Sequence, residues 1–251
     1  HVAELEARVE ERTAQIYKAM TSDVVTGMHN RLYLEQKLAK MSAELKPQEK
    51  IFILYVDLNK YKSLKSIYGK YTAEHILKEC GGRIEQIMTQ SGGFAASYGD
   101  DEFIGVLLTE DGKDDGIQQA ARNIISYCSD TYHVEQKALV VTMNVGIACY
   151  PDDTGSQEEL IRDAEMAMLQ SRKTGFNTVF RYDSRTGENM KKQELLGLQL
   201  KKVDYKKDFY LLYQPQVRCC DGVMIGVEAL LRWKAPDGAV ISPLDFIPLA
   251  E

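Results

Sequence analysis

The chain is predicted to be an α/β protein, a mixed β-sheet flanked by helices, on three observations. Ile51-Phe52-Ile53-Leu54-Tyr55-Val56 is an unbroken apolar run, as a central strand buried on both faces requires. Phe94-Ala95-Ala96 and Ile104-Gly105-Val106-Leu107-Leu108 are short runs of apolar and small residues joined through Gly and Asp, a β-hairpin pattern. From Ile51 onward, strand-like and helix-like segments follow in the order β-α-α-β-β-α-β-α-β.

Taken in order, residues 1–20 read as a charged helix with apolar positions at Val2, Leu5, Val9, Ile16 and Ala19, a heptad seam that Arg12 interrupts. So short a seam cannot hold a coiled coil alone, and the start at His1 looks cut from a longer helix. Asn30 caps a second helix over about 31–45, which Pro47 closes. The apolar run then delivers Asp57 at its C-terminal end. Helical patterns follow over about 60–67 and 71–88, the hairpin spans 94–109, and another helix covers about 114–129. Residues 138–148 read as one further long strand. Ser156-Gln157-Glu158-Glu159 is a capping box opening a helix to about Lys173, Gly175 ends it, and Thr178-Val179-Phe180 forms a short last strand.

Composition narrows the classes of function. With 44% hydrophobic and 27% charged residues the chain has ordinary soluble composition. A net charge of -6 with no Lys/Arg stripe argues against nucleic acid as a partner. No apolar run approaches the roughly 18 residues of a membrane helix, and no signal peptide is visible. A cytoplasmic protein, or the cytoplasmic part of a membrane-bound sensor, is expected. Cys80, Cys128, Cys149, Cys219 and Cys220 include no C-x-x-C, which fits reduced thiols, and the scattered histidines argue against zinc.

The chemistry concentrates in acids. Asp100, Asp101 and Glu102 share the hairpin tip, where each like-charge pair at about 4 Å costs roughly 4 kcal/mol at an effective dielectric near 20. A bound cation would relieve them, so the tip is either a metal and polyphosphate address or a solvated acidic turn. Asp57 either merely ends its strand or meets Asp101 and Glu102 on one sheet edge. The second arrangement suits two-metal nucleotidyl transfer, which needs carboxylates from separate strands.

These residues sit in recognisable surroundings. Asp23-Val24-Val25-Thr26-Gly27-Met28-His29-Asn30-Arg31 resembles the D-x-L-T-G-L-x-N-R opening of the GGDEF family, and Gly99-Asp100-Asp101-Glu102-Phe103 its signature. Asp57-Leu58-Asn59-Lys60-Tyr61-Lys62 resembles D-I-D-x-F-K, while Ala164-Glu165-Met166-Ala167-Met168-Leu169 and Gly175-Phe176-Asn177 resemble the closing motifs. Farther on, Tyr213-Gln214-Pro215, Glu228-Ala229-Leu230-Leu231-Arg232-Trp233 and Phe246-Ile247-Pro248-Leu249-Ala250-Glu251 resemble the start of an EAL domain. The resemblance implies a signalling helix over 1–20, a palm-like GGDEF domain over 21–182, and over 183–251 a linker helix with a fragment of a TIM-type barrel. A barrel cut so short leaves strand edges unpaired, so Leu195–Glu251 is expected to be poorly ordered or packed on a neighbouring chain.

Active GGDEF members condense two GTP into cyclic di-GMP as dimers, and EAL members hydrolyse cyclic di-GMP. The resemblance places Mg2+ or Mn2+ on Asp57, the Leu58 carbonyl and Asp101, with Asp101 and Glu102 as the catalytic acids and Lys62 in the phosphate loop. It also implies an upstream sensor, because Glu4–Thr13 resembles linkers that follow PAS or HAMP modules, and a homodimer through the N-terminal helix. In the EAL segment it assigns Glu228 to a metal, with Gln214 and Arg232 beside cyclic di-GMP; Cys219-Cys220 is read as incidental. Around the GTP, however, the pattern departs. Lys65 replaces the guanine-reading Asn, Glu74 its partner Asp, Arg172 a phosphate-binding Lys and Phe176 an Arg. Asp100 replaces the second Gly beside Gly99, although Asp tolerates left-handed backbone and the turn can survive. Ser97 replaces the Arg before the signature, and the R-x-x-D inhibitory motif is missing from Gln90–Gly93. The expected protein is a cyclase-impaired regulatory GGDEF domain of a GGDEF–EAL protein, with GTP or cyclic di-GMP as ligand. An active diguanylate cyclase is the alternative. Tyr98-Gly99-Asp100-Asp101 also spells a viral polymerase motif, but the chain lacks the length for fingers and thumb. A pure interaction module is the remaining reading.

Overall fold

The apolar run becomes the middle strand of a five-stranded sheet in the computed structural model, which describes residues 2–110 and 115–250. His1, Asp114 and Glu251, where the sequence places two helix starts and the end of the EAL match, lie outside the described residues. The chain divides into two units, residues 1–184 and 185–251.

The first unit runs α1 (Val2–Thr21), α2 (Arg31–Ala43), β1 (Lys50–Leu58), α3 (Tyr61–Tyr68), α4 (Lys70–Gln90), β2 (Phe94–Ser97), β3 (Glu102–Thr109) and α5 (Asp115–Cys128). It continues with β4 (Tyr132–Val134), β5 (Lys137–Leu139), β6 (Met143–Tyr150), α6 (Gln157–Thr174) and β7 (Thr178–Arg181). The sheet order is β2-β3-β1-β6-β7, antiparallel except for the parallel β6–β7 pair. Alternation along β1 explains its unbroken apolarity. Ile51, Ile53 and Tyr55 pack with Leu34 and Leu38 of α2 and with Leu160, Ala164 and Met168 of α6. Phe52, Leu54, Val56 and Leu58 face the other way, among Ile76, Leu77 and Ile84 of α4 and Ile117 and Ile124 of α5. A strand sandwiched between helical layers has no polar face to display.

Local signals hold where they rest on side-chain chemistry. Asn30 caps α2, its side chain accepting from the Tyr33 N–H at 3.1 Å. Half of the expected capping box forms at α6: Ser156 Oγ accepts from the Glu159 N–H, but the Glu159 carboxylate accepts from Thr154 Oγ1 instead of reaching back. The single strand expected over 138–148 is a correction. Residues 137–139 pair with β4 in a small hairpin that turns through Glu135 at φ 56, and a new strand starts at Met143. Between them the Thr142 carbonyl accepts from the Asn59 N–H at 2.8 Å, which ties the break to the end of β1.

The second unit holds α7 (Ser184–Leu200), β8 (Phe209–Val217), β9 (Met224–Lys234), β10 (Val240–Ile241) and α8 (Pro243–Ala250). Its three strands are antiparallel in the order β10-β9-β8. Leu196, Leu200, Trp233 and Phe246 make its small core. Among the described residues no helix is long and apolar enough to cross a membrane.

Candidate metal and nucleotide site

Register brings the acids together. Asp57 of β1 lies directly opposite Glu102 of β3, and the Leu58 N–H donates to the Asp101 carbonyl at 3.0 Å. The hairpin closes with the Tyr98 N–H donating to the Glu102 carbonyl at 2.9 Å. Asp57 follows Tyr55 by two residues, so it projects to the α6 side of the sheet and is only 5% exposed. Arg172, in the last turn of α6, places Nη2 3.6 Å from Asp57 Oδ2.

The electrostatics follow from this crowding. Burial pushes the Asp57 carboxyl up to about 6; Arg172 opposes the rise, and the charges of Asp101 and Glu102 add to it. Asp101 is also raised, by burial first and then by Glu102 and Asp100, while Lys62 and Arg172 pull it down. Asp57, Asp101, Glu102, Lys62 and Arg172 thus act as one cluster. Among the described residues, however, no three His, Cys, Asp or Glu side chains are drawn together closely enough to hold a metal ion. The fit to a hard cation rests on Asp57 Oδ2, which is buried and makes no hydrogen bond. An orphaned buried carboxylate oxygen beside a second carboxylate is the donor chemistry that Mg2+ or Mn2+ accepts.

On the α3–α4 side of the hairpin lies a cavity of about 150 Å³ lined by Tyr61, Lys65, Glu74, Ser97, Gly99 and Asp100, among others. That is below the roughly 300 Å³ at which whole small-molecule sites begin, and it suits a fragment such as a base. Glu74 is held by Lys70 at 3.6 Å. The Tyr61 hydroxyl is pushed up to about 12, by burial and then by Glu74, Asp101 and Asp100, which links this cavity to the carboxylate cluster. A Cβ on Gly99 would meet the Glu102 carboxylate, the mobile end of a side chain that can turn aside, so space alone does not demand glycine there. Asp100 is not among the residues with positive φ, and the turn therefore needs no left-handed backbone at that position.

The structure thus brings Asp57, Asp101, Glu102, Lys62 and Arg172 into one cluster, and Lys65, Glu74, Gly99 and Asp100 into the adjoining cavity. In the second unit, Gln214 lies opposite Glu228, and Arg232 shares their face four residues along β9. Cys219 and Cys220 are exposed in the turn between β8 and β9.

Sequence reading missed three contributors. Tyr55, 1% exposed, has its hydroxyl held protonated by burial and by a hydrogen bond to Glu102. Period-two alternation with Asp57 is the signal that could have found it. Glu165 of α6 is raised by burial and by the nearby Glu102 charge; it lies in the closing motif but is assigned no role there. Asn144 is fully buried: its amide accepts from Asn59 Nδ2 at 2.6 Å and donates toward Ser171 Oγ, the Gly175 carbonyl and Thr178 Oγ1. That network fastens the end of β1 to the end of α6, where Arg172 stands.

Known proteins share this fold. The family model "Diguanylate cyclase, GGDEF domain" matches residues 20–178, and the EAL domain model matches 200–251. The bifunctional diguanylate cyclase/cyclic di-GMP phosphodiesterase MucR of Pseudomonas aeruginosa is 29% identical across 100% of this chain, which spans 38% of MucR. The cyclic di-GMP phosphodiesterase NbdA of the same organism is 27% identical over 91% of the chain, which spans 29% of it. The chain therefore covers well under half the length of these relatives. Among solved structures, the coiled coil and GGDEF domain of DgcB from Caulobacter crescentus, in complex with c-di-GMP, superposes with a TM-score of 0.64 at 22% identity, covering 72% of this chain and 94% of that one. The GGDEF domain of YfiN from Pseudomonas aeruginosa gives 0.61 at 20% identity, covering 68% and 99%. At such identities the superpositions establish the fold, and the family model, matching most of the chain, settles its kinship. The chain belongs to the GGDEF family, with the opening segment of an EAL domain following, and its relatives are GGDEF–EAL proteins of cyclic di-GMP signalling.

Proposed function

We propose that this is a GGDEF domain impaired as a cyclase and retained for regulation, binding a divalent cation with a guanine nucleotide and passing that state to the EAL domain. The observation that carries the reading is the single cavity shared by Lys65, Glu74 and Asp100. An amide can donate and accept along a base edge, whereas Lys65 only donates. Glu74 is drawn toward Lys70, and Asp100 adds a negative charge beside the path of the phosphates. A site built to hydrogen-bond one base loses discrimination steeply when a partner is lost.

Asp57, Asp101 and the Leu58 carbonyl would hold Mg2+ or Mn2+, which supplies Lewis-acid polarisation of a phosphoryl oxygen. Lys62 and Arg172 bind phosphate, and Tyr55 orients Glu102. In the second unit, Gln214, Glu228 and Arg232 are the residues that would face cyclic di-GMP once the barrel is complete. Val9, Ile16 and Met20 are exposed along α1 at heptad-like spacing, which supports pairing with a second copy and relay from an upstream sensor. The setting proposed is the cytoplasm.

Incubation of the purified chain with GTP and Mg2+ or Mn2+ tests the reading: no steady cyclic di-GMP is expected, and steady formation overturns it. Asp100→Gly with Lys65→Asn should restore activity if those positions are the defect. The second reading, an active cyclase, is favoured by the convergence of Asp57, Asp101 and Glu102.

A further inference from the structure

We propose that Arg172 is an internal counter-cation for the metal carboxylates: it rests against Asp57 and gives that carboxylate up when a divalent cation binds, which frees its guanidinium for the nucleotide's phosphates. This rests on the metal–nucleotide reading of the site.

Three observations carry it. The Nη2–Oδ2 separation of 3.6 Å is an ion pair but lies outside the roughly 2.7–2.9 Å of a charge-assisted hydrogen bond, and Asp57 Oδ2 makes no hydrogen bond at all. The carboxylate is neutralised without being satisfied, so a ligand at coordination distance displaces the arginine rather than breaking a bond. The partners differ in freedom as well: the Asp57 side chain is 7% exposed on a central strand, whereas that of Arg172 is 44% exposed. The arginine is the member that can swing. Its backbone cannot follow, because the preceding residue, Ser171, is fully buried and bonded to the Thr178 carbonyl at 2.8 Å and to the Asn144 amide at 2.7 Å. Because Arg stays protonated, the exchange is a competition of cations and not a titration.

The test is Mn2+ binding to the full 251-residue chain without nucleotide, by electron paramagnetic resonance, with folding checked by circular dichroism. Arg172→Gln is expected to bind Mn2+ about 3- to 10-fold more tightly, the range of a partly exposed ion pair. Arg162→Gln removes an arginine from the same helix that pairs with Glu159 and Asp163 instead, and should leave the affinity unchanged. With Mn2+ saturating, Arg172→Gln should bind GTP more weakly. Unchanged or weaker Mn2+ binding in Arg172→Gln overturns the proposal, as does an equal gain in Arg162→Gln or an unaltered GTP affinity. Asp57→Asn separates the two levels. If it binds Mn2+ as tightly as the parent, the metal reading falls and the counter-cation with it. Asp57-dependent binding that ignores Arg172 overturns the counter-cation alone.

Discussion

Gly146→Ala should damage the first unit out of proportion to one methyl group. Gly146 lies on β6 between Tyr55 of β1 and Phe180 of β7, directly beneath α6. A Cβ there would fall inside contact distance of the Ala164 carbonyl oxygen and the Met168 amide nitrogen, and 2.9 Å from the Ala167 carbonyl carbon. All three are backbone atoms of one helix, so no rotamer change gives relief and α6 must withdraw. Overpacking costs about 1–3 kcal/mol, and with only backbone to yield the upper end applies. A second route gives a similar figure. Leu160, Ala164, Ala167 and Met168 seat α6 on the sheet. If a retreat of about 1 Å forfeits a quarter of some 60 atom contacts at about 0.15 kcal/mol each, roughly 2 kcal/mol is lost. Alanine's lower unfolded-state entropy returns about 0.4–1 kcal/mol, leaving a net loss near 2 kcal/mol. Urea unfolding followed by far-ultraviolet circular dichroism measures it; fluorescence of Trp233, the one tryptophan, would report the second unit instead. With m near 2 kcal/mol/M the midpoint falls by about 1 M. A midpoint within about 0.2 M of the parent would refute the reasoning, since α6 would then sit on β6 without needing glycine.

Gly82 provides the contrast: it lies inside α4 with open space around its missing Cβ, so Gly82→Ala should raise stability by about 0.5–1 kcal/mol in the same assay. Asn144→Ala strips partners from the buried Asn59 amide and the Gly175 carbonyl, and a loss of about 2–3 kcal/mol is expected. A double-mutant cycle with Asn59→Ala should show coupling above about 0.5 kcal/mol; strict additivity would mean that the two amides do not support each other. His29, stacked on Tyr33 at 3.6 Å, has its pKa lowered by burial, with Glu85 opposing and Lys37 adding to the effect. The unfolded chain then takes up the proton first, so this contribution is full above about pH 6.5 and is lost as pH falls through the folded value. Titration of the His29 ring by NMR to a pKa at or above 6.5 would contradict this.

What the sequence made legible was short in range. The 51–56 run, the Gly-Asp hairpin and the Asn30 cap each rest on neighbours within a few residues, and each element formed. So did the approach of Asp57 to the hairpin acids, because a strand end and a hairpin tip in one antiparallel sheet have few ways to avoid each other. Distant decisions were invisible. Val140-Val141-Thr142 has strand propensity, yet the strand breaks there because Lys137–Leu139 pairs backward with β4 and the Thr142 carbonyl turns to Asn59. The Arg172–Asp57 pair joins residues more than a hundred positions apart and depends on the seating of α6, which no periodicity encodes.

The same cluster sets stability against binding, and Asp57→Asn exposes the balance. Without a divalent cation, Asp57 is a nearly buried carboxylate whose Oδ2 is unbonded and whose pKa is raised to about 6 by burial, in spite of the arginine beside it. Burial therefore outweighs the guanidinium, and the charged form destabilises the folded state at pH 7. Asparagine removes the charge, keeps the shape and offers an N–H toward Asp101 and Glu102. It deprives Arg172 of a partner, but that side chain is 44% exposed and water takes over at little cost. The loss of a charge that burial penalises more than Arg172 relieves should win. In EDTA, Asp57→Asn is expected to be about 1–3 kcal/mol more stable than the parent by urea unfolding. Saturating Mn2+ should then stabilise the parent and leave the variant where it was, closing or reversing the gap. A variant less stable than the parent in EDTA would show that the Arg172 pair outweighs burial, and that the acids at the end of this sheet are held for the fold and not for a ligand.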